Sequence, residues 1–372
     1  MKKIKSKFKI NFWEPIIGNQ EIVNIKRVLK SNYPNEGKYT RLFENKIENL
    51  LAVKHAICVT SGTISIFLAL KSLGVSEKDE VIIPDLTFGA TAMAVKLTGA
   101  KLILVDINEK NMSFDINDLK KKINKKTKAI IPVHISGRAA DMESIIKISK
   151  KKNINIVEDA AEAFMSKYKG KYLGTIGRLG CFSLTASKTI TTGQGGIIVT
   201  NDTKLYKKIL LLKNQGISGK SNGGNVIHQS VGWNFKFTNL QAAMGLAQLL
   251  NIKQRISKLK ANNEIYRKEL KSIKDIKILD FNLSKGEVPL WTDVYCKNRD
   301  QLILFLEKKG IECRKFWYPM HTQKPFKLNK KNFRVSSQIN NKLFWLPSSL
   351  TLTKKKILFI CGLIKSFLLK NK

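Results

Sequence analysis

Five short apolar runs, separated by helix-length segments, constrain the fold of this chain more than any other feature. Residues 56–60, 81–84, 102–105, 129–134 and 154–157 are each four to six residues long and rich in Val and Ile. Between them, segments 64–73, 90–97, 116–123 and 142–149 place apolar residues three and four apart. Strands alternating with amphipathic helices predict a mainly parallel sheet covered on both faces. Two more strands are expected at residues 180–184 and Gly196–Thr200, then a long helix over about 239–260. Beyond it the pattern turns irregular (291–296, 299–309, 311–317), as in a smaller α+β unit. The expected division is a large domain over residues 1–250 and a small C-terminal domain over 251–372.

Composition narrows the function classes. At 43% hydrophobic residues over 372 positions, the chain has the material for a large core plus a smaller one. Its five cysteines (Cys58, Cys181, Cys296, Cys313, Cys361) are scattered and form no CxxC pair. That usage fits a reducing cytoplasm and argues against a disulfide scaffold or a cysteine zinc site. The four histidines have no metal-ligand spacing, so no metal is expected. The net charge of +39 suggests nucleic acid, yet the lysines are spread evenly along ordinary helices, as in residues 120–122, 150–152 and 354–356. A nucleic-acid binder concentrates them on one face, so the charge reads as solvated surface that attracts small anions. No apolar stretch reaches the roughly 18 residues that span a bilayer. The basic N-terminus is interrupted by Lys7 and Lys9, unlike a secretory leader. The C-terminal apolar run at 357–364 has helical spacing and reads as a helix packed on its own domain.

An open parallel sheet binds ligands at the carboxyl ends of its strands, so the residues following each strand matter most. After the first comes Ser61-Gly62-Thr63, opening a helix. It is either a plain cap or an anion site at a helix N-terminus. After residues 154–157 comes Glu158-Asp159-Ala160-Ala161-Glu162, three acids in a chain short of them. They cap a helix or hold a protonated heterocycle or a metal. Between Arg178 and Lys204 the only charged residues are Lys188 and Asp202, although 26% of the chain is charged. Lys188 follows a strand among small hydroxylated and glycyl residues. A lysine so placed is suited to Schiff-base chemistry, which needs a neutral amine. Phe88, in Asp85-Leu86-Thr87-Phe88, supplies an aromatic face after the second strand. His134 ends a strand, where it serves either a substrate site or the core. Together, helix N-terminus, Asp159 and Lys188 describe a pyridoxal-phosphate pocket.

Six segments carry a family resemblance: SGTISIFLAL, PDLTFGATAMAV, AIIPVHISG, IVEDAAEAF, CFSLTASKTITTGQGGIIVT and VGWNFKFTNLQAAMGLAQL. In order and spacing they resemble the DegT/DnrJ/EryC1/StrS family, nucleotide-sugar aminotransferases of the aspartate-aminotransferase (type I) fold. The resemblance implies pyridoxal 5'-phosphate as cofactor, with Lys188 as Schiff-base lysine and Asp159 paired with the pyridine nitrogen. It implies that Phe88 stacks on the ring and that Gly62, Thr63 and Ser183 hold the phosphate. Glu162 falls where many members carry Gln or His, among the cofactor contacts. Asn234 is implied to reach the cofactor phosphate of a neighbouring subunit, making a homodimer with shared active sites. Trp317-Tyr318-Pro319-Met320-His321 resembles the family's substrate-facing C-terminal stretch, which makes Tyr318 and His321 candidate substrate contacts.

The segment EDAAEA followed by KTITTGQGG looks most like the branch that aminates C4 of GDP-4-keto-6-deoxymannose, with glutamate giving 2-oxoglutarate, in surface-polysaccharide (O-antigen) biosynthesis. Three positions depart from the family's habit: Lys236 for Arg, Met93 for Asn, and Gln194 for an acid. They leave open a UDP- or dTDP-linked sugar and C3 amination. A non-catalytic homologue that binds pyridoxal phosphate or a sugar nucleotide as a regulator is the other reading.

Overall fold

A computed structural model describes residues 7–219 and 226–370; the outer ends of both expected domains lie outside the described residues. Thirteen strands are formed among them: β1 (His55–Val59), β2 (Glu80–Pro84), β3 (Lys101–Val105), β4 (Thr127–Ile130), β5 (Asn155–Asp159), β6 (Lys167–Tyr168), β7 (Lys171–Tyr172), β8 (Leu179–Ser183), β9 (Gly196–Thr200), β10 (Ile276–Ile278), β11 (Thr292–Cys296), β12 (Arg314–Lys315) and β13 (Leu343–Leu346). The large sheet has seven strands in the order β1-β9-β8-β5-β4-β2-β3. β2, β3, β4, β5 and β8 pair in parallel, while β9 is antiparallel to both β8 and β1. β9 therefore alone opposes the sheet, and six carboxyl ends share one edge. The alternation in the sequence produces this sheet because helices bury both of its faces, which leaves β2 and β9 buried throughout.

One face packs Ile66, Leu70, Val95 and Ile209 over Ile57, Val81, Ile83 and Ile198. The opposite face buries Phe43, Ile47, Phe182 and Ile197. Two helices ahead of β1, Asn19–Lys30 and Lys38–Leu51, complete this layer, and the strand pattern does not signal them. The expected single helix over 239–260 is two, Asn239–Leu250 and Ile252–Leu270. Asn251 breaks it, with φ −106° and ψ 17° outside the helical region. The first of the two starts on a capping box, in which Gln241 Nα donates to Thr238 Oγ1 at 3.2 Å.

The C-terminal unit is a four-stranded antiparallel sheet, β10-β11-β13-β12. The helices Ile252–Leu270, Arg299–Lys308 and Lys354–Lys370 pack on it around Tyr266, Leu302, Ile360 and Ile364. Its last helix turns Ile357, Ile360, Cys361 and Ile364 inward, as the spacing predicts. Residues 9–14, expected with the large domain, lie along this smaller sheet. Ile10 bridges Ile311, and Ser348 donates its amide to the Phe12 carbonyl at 2.9 Å. A third cluster, with Phe12, Leu86, Val133, Trp291, Phe316 and Trp345, fills the seam between the two units. That seam opens onto the carboxyl edge of the large sheet.

Candidate active site

A cavity of about 610 Å³ lies at that edge. Its lining includes Gly62, Thr63, Phe88, His134, Asp159, Glu162, Ser183 and Lys188, eight of the eleven residues singled out in the sequence. They converge because β1, β2, β4, β5 and β8 all end there. Gly62 opens the helix Gly62–Ser72, capped by Ser61, whose side chain accepts from Ile64 Nα at 3.2 Å. A Cβ on Gly62 would stand 3.0 Å from the Ser183 Cβ, and one on Gly196 would stand 2.2 Å from the Ser61 carbonyl oxygen. Glycine is thus required where β1, β8 and β9 close around the helix N-terminus, leaving free N–H groups for an anion.

The three acids divide their labour. Glu158 is fully buried and accepts from His134 Nε2 (2.9 Å) and from the amides of Gly174 (2.8 Å), Ile176 (2.6 Å) and Gly177 (2.5 Å). It ties the turn before β8 to β5 and is spent on structure. Asp159, the next residue on the strand, faces the other way, into the cavity. Thr91 Oγ1 donates to its Oδ2 at 2.7 Å, and the Ala161 amide donates to Oδ1 at 3.1 Å. The Thr87 and Thr91 hydroxyls are 2.8 Å apart. With Thr91's one proton given to the carboxylate, Thr87 donates to Thr91. Burial pushes the Asp159 carboxyl above the ordinary range, against the opposing pull of Thr91, the Ala161 amide and Lys188.

Lys188 Nζ lies 3.2 Å from Glu162 Oε1 and 4.9 Å from the centroid of the Trp291 ring. The segment around Lys188 is poor in charge along the chain, yet in space it has a carboxylate partner. Glu162 is also held by the Ser136 amide at 2.9 Å. Burial raises its carboxyl, with Lys188 the largest opposing influence.

The remaining expectations separate. His134 lines the cavity, but its Nδ1 accepts from the Ala140 amide at 3.2 Å and its Nε2 bonds Glu158. Both nitrogens are committed, so it forms wall and makes no polar contact with a ligand. His321 is buried outside the cavity, with Nδ1 2.7 Å from Asp85 Oδ2 and its ring stacked on Phe333 at 4.6 Å. The pair clamps residues 320–321 onto the end of β2, where Met320 Nα also donates to the Asp85 carbonyl at 2.7 Å. Tyr318 is 63% exposed and does not line the cavity; its neighbour Trp317 does. Asn234 is exposed, bridged to Asn214, and outside this chain's cavity.

The sequence reading missed the wall opposite the strand ends. Phe12, Trp291, Trp317 and Trp345 build it, with Arg314 and Lys315. Trp291 and Trp345 stand 4.8 Å apart and Trp317 and Trp345 5.0 Å, both edge-to-face. The available signal was that three of the chain's five tryptophans fall after residue 290.

These residues fit pyridoxal phosphate. Gly62 and the helix N-terminus would cradle a phosphate beside Ser183 and Thr63. The buried Asp159 offers a carboxylate whose burial calls for a cationic partner such as a pyridinium nitrogen. Phe88, 60% exposed, has a face open to a planar ring. When bound, the cofactor supplies an electron sink for cleavage of a bond at an amine-bearing carbon. Lys188 would be the residue to hold it, with Glu162 3.2 Å away as the partner of its ammonium form.

The DegT/DnrJ/EryC1/StrS aminotransferase family matches residues 15–365. The chain is 37% identical to a GDP-perosamine synthase of Escherichia coli O157:H7, over 96% of this chain and 98% of that protein. It is 34% identical to a GDP-perosamine synthase of Vibrio cholerae, over 96% and 99%. Among solved structures it resembles Helicobacter pylori PseC, an aminotransferase involved in the biosynthesis of pseudoaminic acid. The TM-score there is 0.90 and the identity 25%, covering 97% of this chain and 99% of that one. A single family match over residues 15–365, and a cavity that brings a lysine and carboxylates together, lead to one conclusion: this chain belongs to the DegT/DnrJ/EryC1/StrS family and is a pyridoxal-phosphate-dependent aminotransferase.

Proposed function

We propose that the chain transfers an amino group from glutamate to C4 of GDP-4-keto-6-deoxymannose, forming GDP-perosamine for a surface polysaccharide such as an O-antigen. The observation that carries the substrate is the end-to-end likeness to two GDP-perosamine synthases. The cavity suits it. The strand-end wall holds the amine chemistry, and the aromatic wall offers flat faces to the C–H side of a deoxyhexose ring. The donor and the keto-sugar use the cavity in turn. In the net exchange the amino group of glutamate would replace the C4 keto oxygen of the sugar and glutamate would become 2-oxoglutarate, with the cofactor supplying the electron sink. Lys188 carries protons in both halves. The residues proposed to do this are Lys188 and Asp159, with Gly62, Thr63, Phe88, Glu162 and Ser183 around the cofactor.

The working unit in this reading is a cytoplasmic homodimer, each site completed by the partner's copy of residue 234. The exposure of Asn234, away from its own chain's cavity, supports that arrangement. Mixing inactive Lys188→Ala and Asn234→Ala chains then restores part of the activity, because one site of a mixed dimer escapes both lesions. Tagged chains confirm that subunits exchange, and exchange without restored activity overturns the shared site.

The substrate is tested with glutamate and a panel of nucleotide keto-sugars linked to GDP, UDP and dTDP. Amination of the GDP-linked 4-keto sugar, with a kcat/KM well above the others, is expected. Preference for a UDP- or dTDP-linked sugar, or C3 amination, refutes the substrate and keeps the chemistry. Failure of glutamate to bleach the visible band of the lysine-bound cofactor refutes glutamate as donor.

A further inference from the structure

We infer that Arg314 is a preset oxyanion anchor in the cavity, taking a carboxylate or phosphate group of a substrate. Arg314 lines the same cavity as Lys188, from the wall built by β12. Its guanidinium is held before any ligand arrives. Glu312 Oε1 accepts from both its Nε (3.2 Å) and its Nη2 (3.0 Å), and the guanidinium carbon lies 4.7 Å from the centroid of the Phe12 ring. Glu312 is itself oriented, since its Oε2 accepts the Phe12 amide at 2.9 Å. One edge and one face of the fork are therefore occupied, and the Nη1 edge has no hydrogen-bond partner among the described residues. A planar fork fixed in this way gives up little rotamer freedom on binding and matches the two oxygens of a carboxylate or phosphate.

The other cations of the cavity are engaged elsewhere. Lys315 pairs with Asp300 at 3.0 Å and Lys188 with Glu162 at 3.2 Å. The phosphate cradle at Ser61, Gly62, Thr63 and Ser183 is uncharged and suits the cofactor. Both proposed substrates are anions, glutamate through its carboxylates and the sugar nucleotide through its diphosphate. Arg314 is also paired, with Glu312, but its fork keeps the Nη1 edge open among the described residues to receive one.

This inference rests on the aminotransferase reading, and its test keeps the two apart. Three variants are compared with wild type: Arg314→Gln, Arg314→Lys and Glu312→Gln. Glutamate affinity is read from the concentration dependence with which glutamate bleaches the visible band. Nucleotide affinity is read by calorimetric titration with GDP, which needs no turnover. Arg314→Gln is expected to weaken one of the two at least tenfold. Arg314→Lys recovers only part, because an ammonium lacks the fork, and Glu312→Gln shifts the same ligand by a smaller factor. A change confined to glutamate assigns the anchor to the donor's carboxylate, and one confined to GDP assigns it to the diphosphate. An Arg314→Gln chain with wild-type Tm and visible band, and both affinities within twofold, overturns the anchor. A wild-type chain that glutamate does not bleach and GDP does not bind overturns the reading beneath it.

Discussion

One wall of the cavity is made by the carboxyl ends of successive strands in the large sheet, and the facing wall by Phe12, Trp291, Arg314, Trp317 and Trp345 from the smaller sheet and the segment laid along it. The first wall is polar, and its groups are pinned by short hydrogen bonds, such as Thr91 to Asp159 at 2.7 Å. The second is aromatic and held by ring packing, with Trp291 and Trp345 4.8 Å apart. Directional bonds fix atoms for proton and electron movement, whereas packed rings set the shape and affinity of the space. The difference teaches that lesions on the first wall act on rate, and lesions on the second act on substrate affinity.

The largest effect expected is at Lys188. Lys188→Ala abolishes turnover, by roughly a thousandfold or more, and removes the visible cofactor band while the circular dichroism spectrum is retained. Lys188→Arg fails as well, because a guanidinium stays protonated. Near wild-type turnover in either variant breaks the comparison at its root.

Asp159→Asn ranks next, with a loss of about a hundredfold or more in kcat, or ~2.7 kcal/mol of barrier. The substitution also has an effect without cofactor. Burial raises the Asp159 carboxyl in the folded chain, so the protonated form is the one the fold favours. Its contribution to stability is complete below the ordinary carboxylate range and is lost as pH rises through the raised value. Cofactor-free Asp159→Asn is therefore more stable than wild type at pH 8 and shows no such gain at pH 3. Melting curves at the two pH values decide it, and a variant less stable than wild type at pH 8 contradicts the account.

Thr91→Val removes the hydroxyl that orients Asp159 and costs about tenfold in kcat, ~1.4 kcal/mol. Thr91→Ser restores most of it, because the hydroxyl is what the carboxylate uses. Equal kinetics for the Val and Ser variants would reduce Thr91 to a packing residue. The smallest effect is on the second wall, where Trp317→Ala raises the KM of the sugar nucleotide about threefold to tenfold with little change in kcat, through the lost aromatic face. A fall in kcat with KM unchanged would erase the distinction between the walls.

The strand-end wall was legible because its residues follow β1, β2, β5 and β8 directly. Gly62, Phe88, Asp159 and Lys188 each stand within a few residues of a strand end, and a parallel sheet brings such ends together. For His321, a short family-like stretch does not say which way the ring points. Its ring turned to Asp85, whose buried carboxylate needed a partner. His134 reached the cavity with both nitrogens already in use. The three adjacent acids could not be told apart in sequence. Strand alternation sends Glu158 and Asp159 to opposite faces, and only the packed fold shows which face is the cavity.

By itself the sequence determined the period of its apolar runs, hence the parallel sheet, and the small hydroxylated and glycyl surroundings of Lys188, hence the chemistry. These are local properties, set by residues within a few positions of one another. Tertiary structure decided that residues 9–14 lie along the C-terminal unit, that Glu312 grips Arg314 against Phe12, and that Thr91 holds Asp159 across 68 positions of chain. Such contacts join segments remote in the chain, and their closure is favourable only once both sheets are packed, so no local pattern announces them.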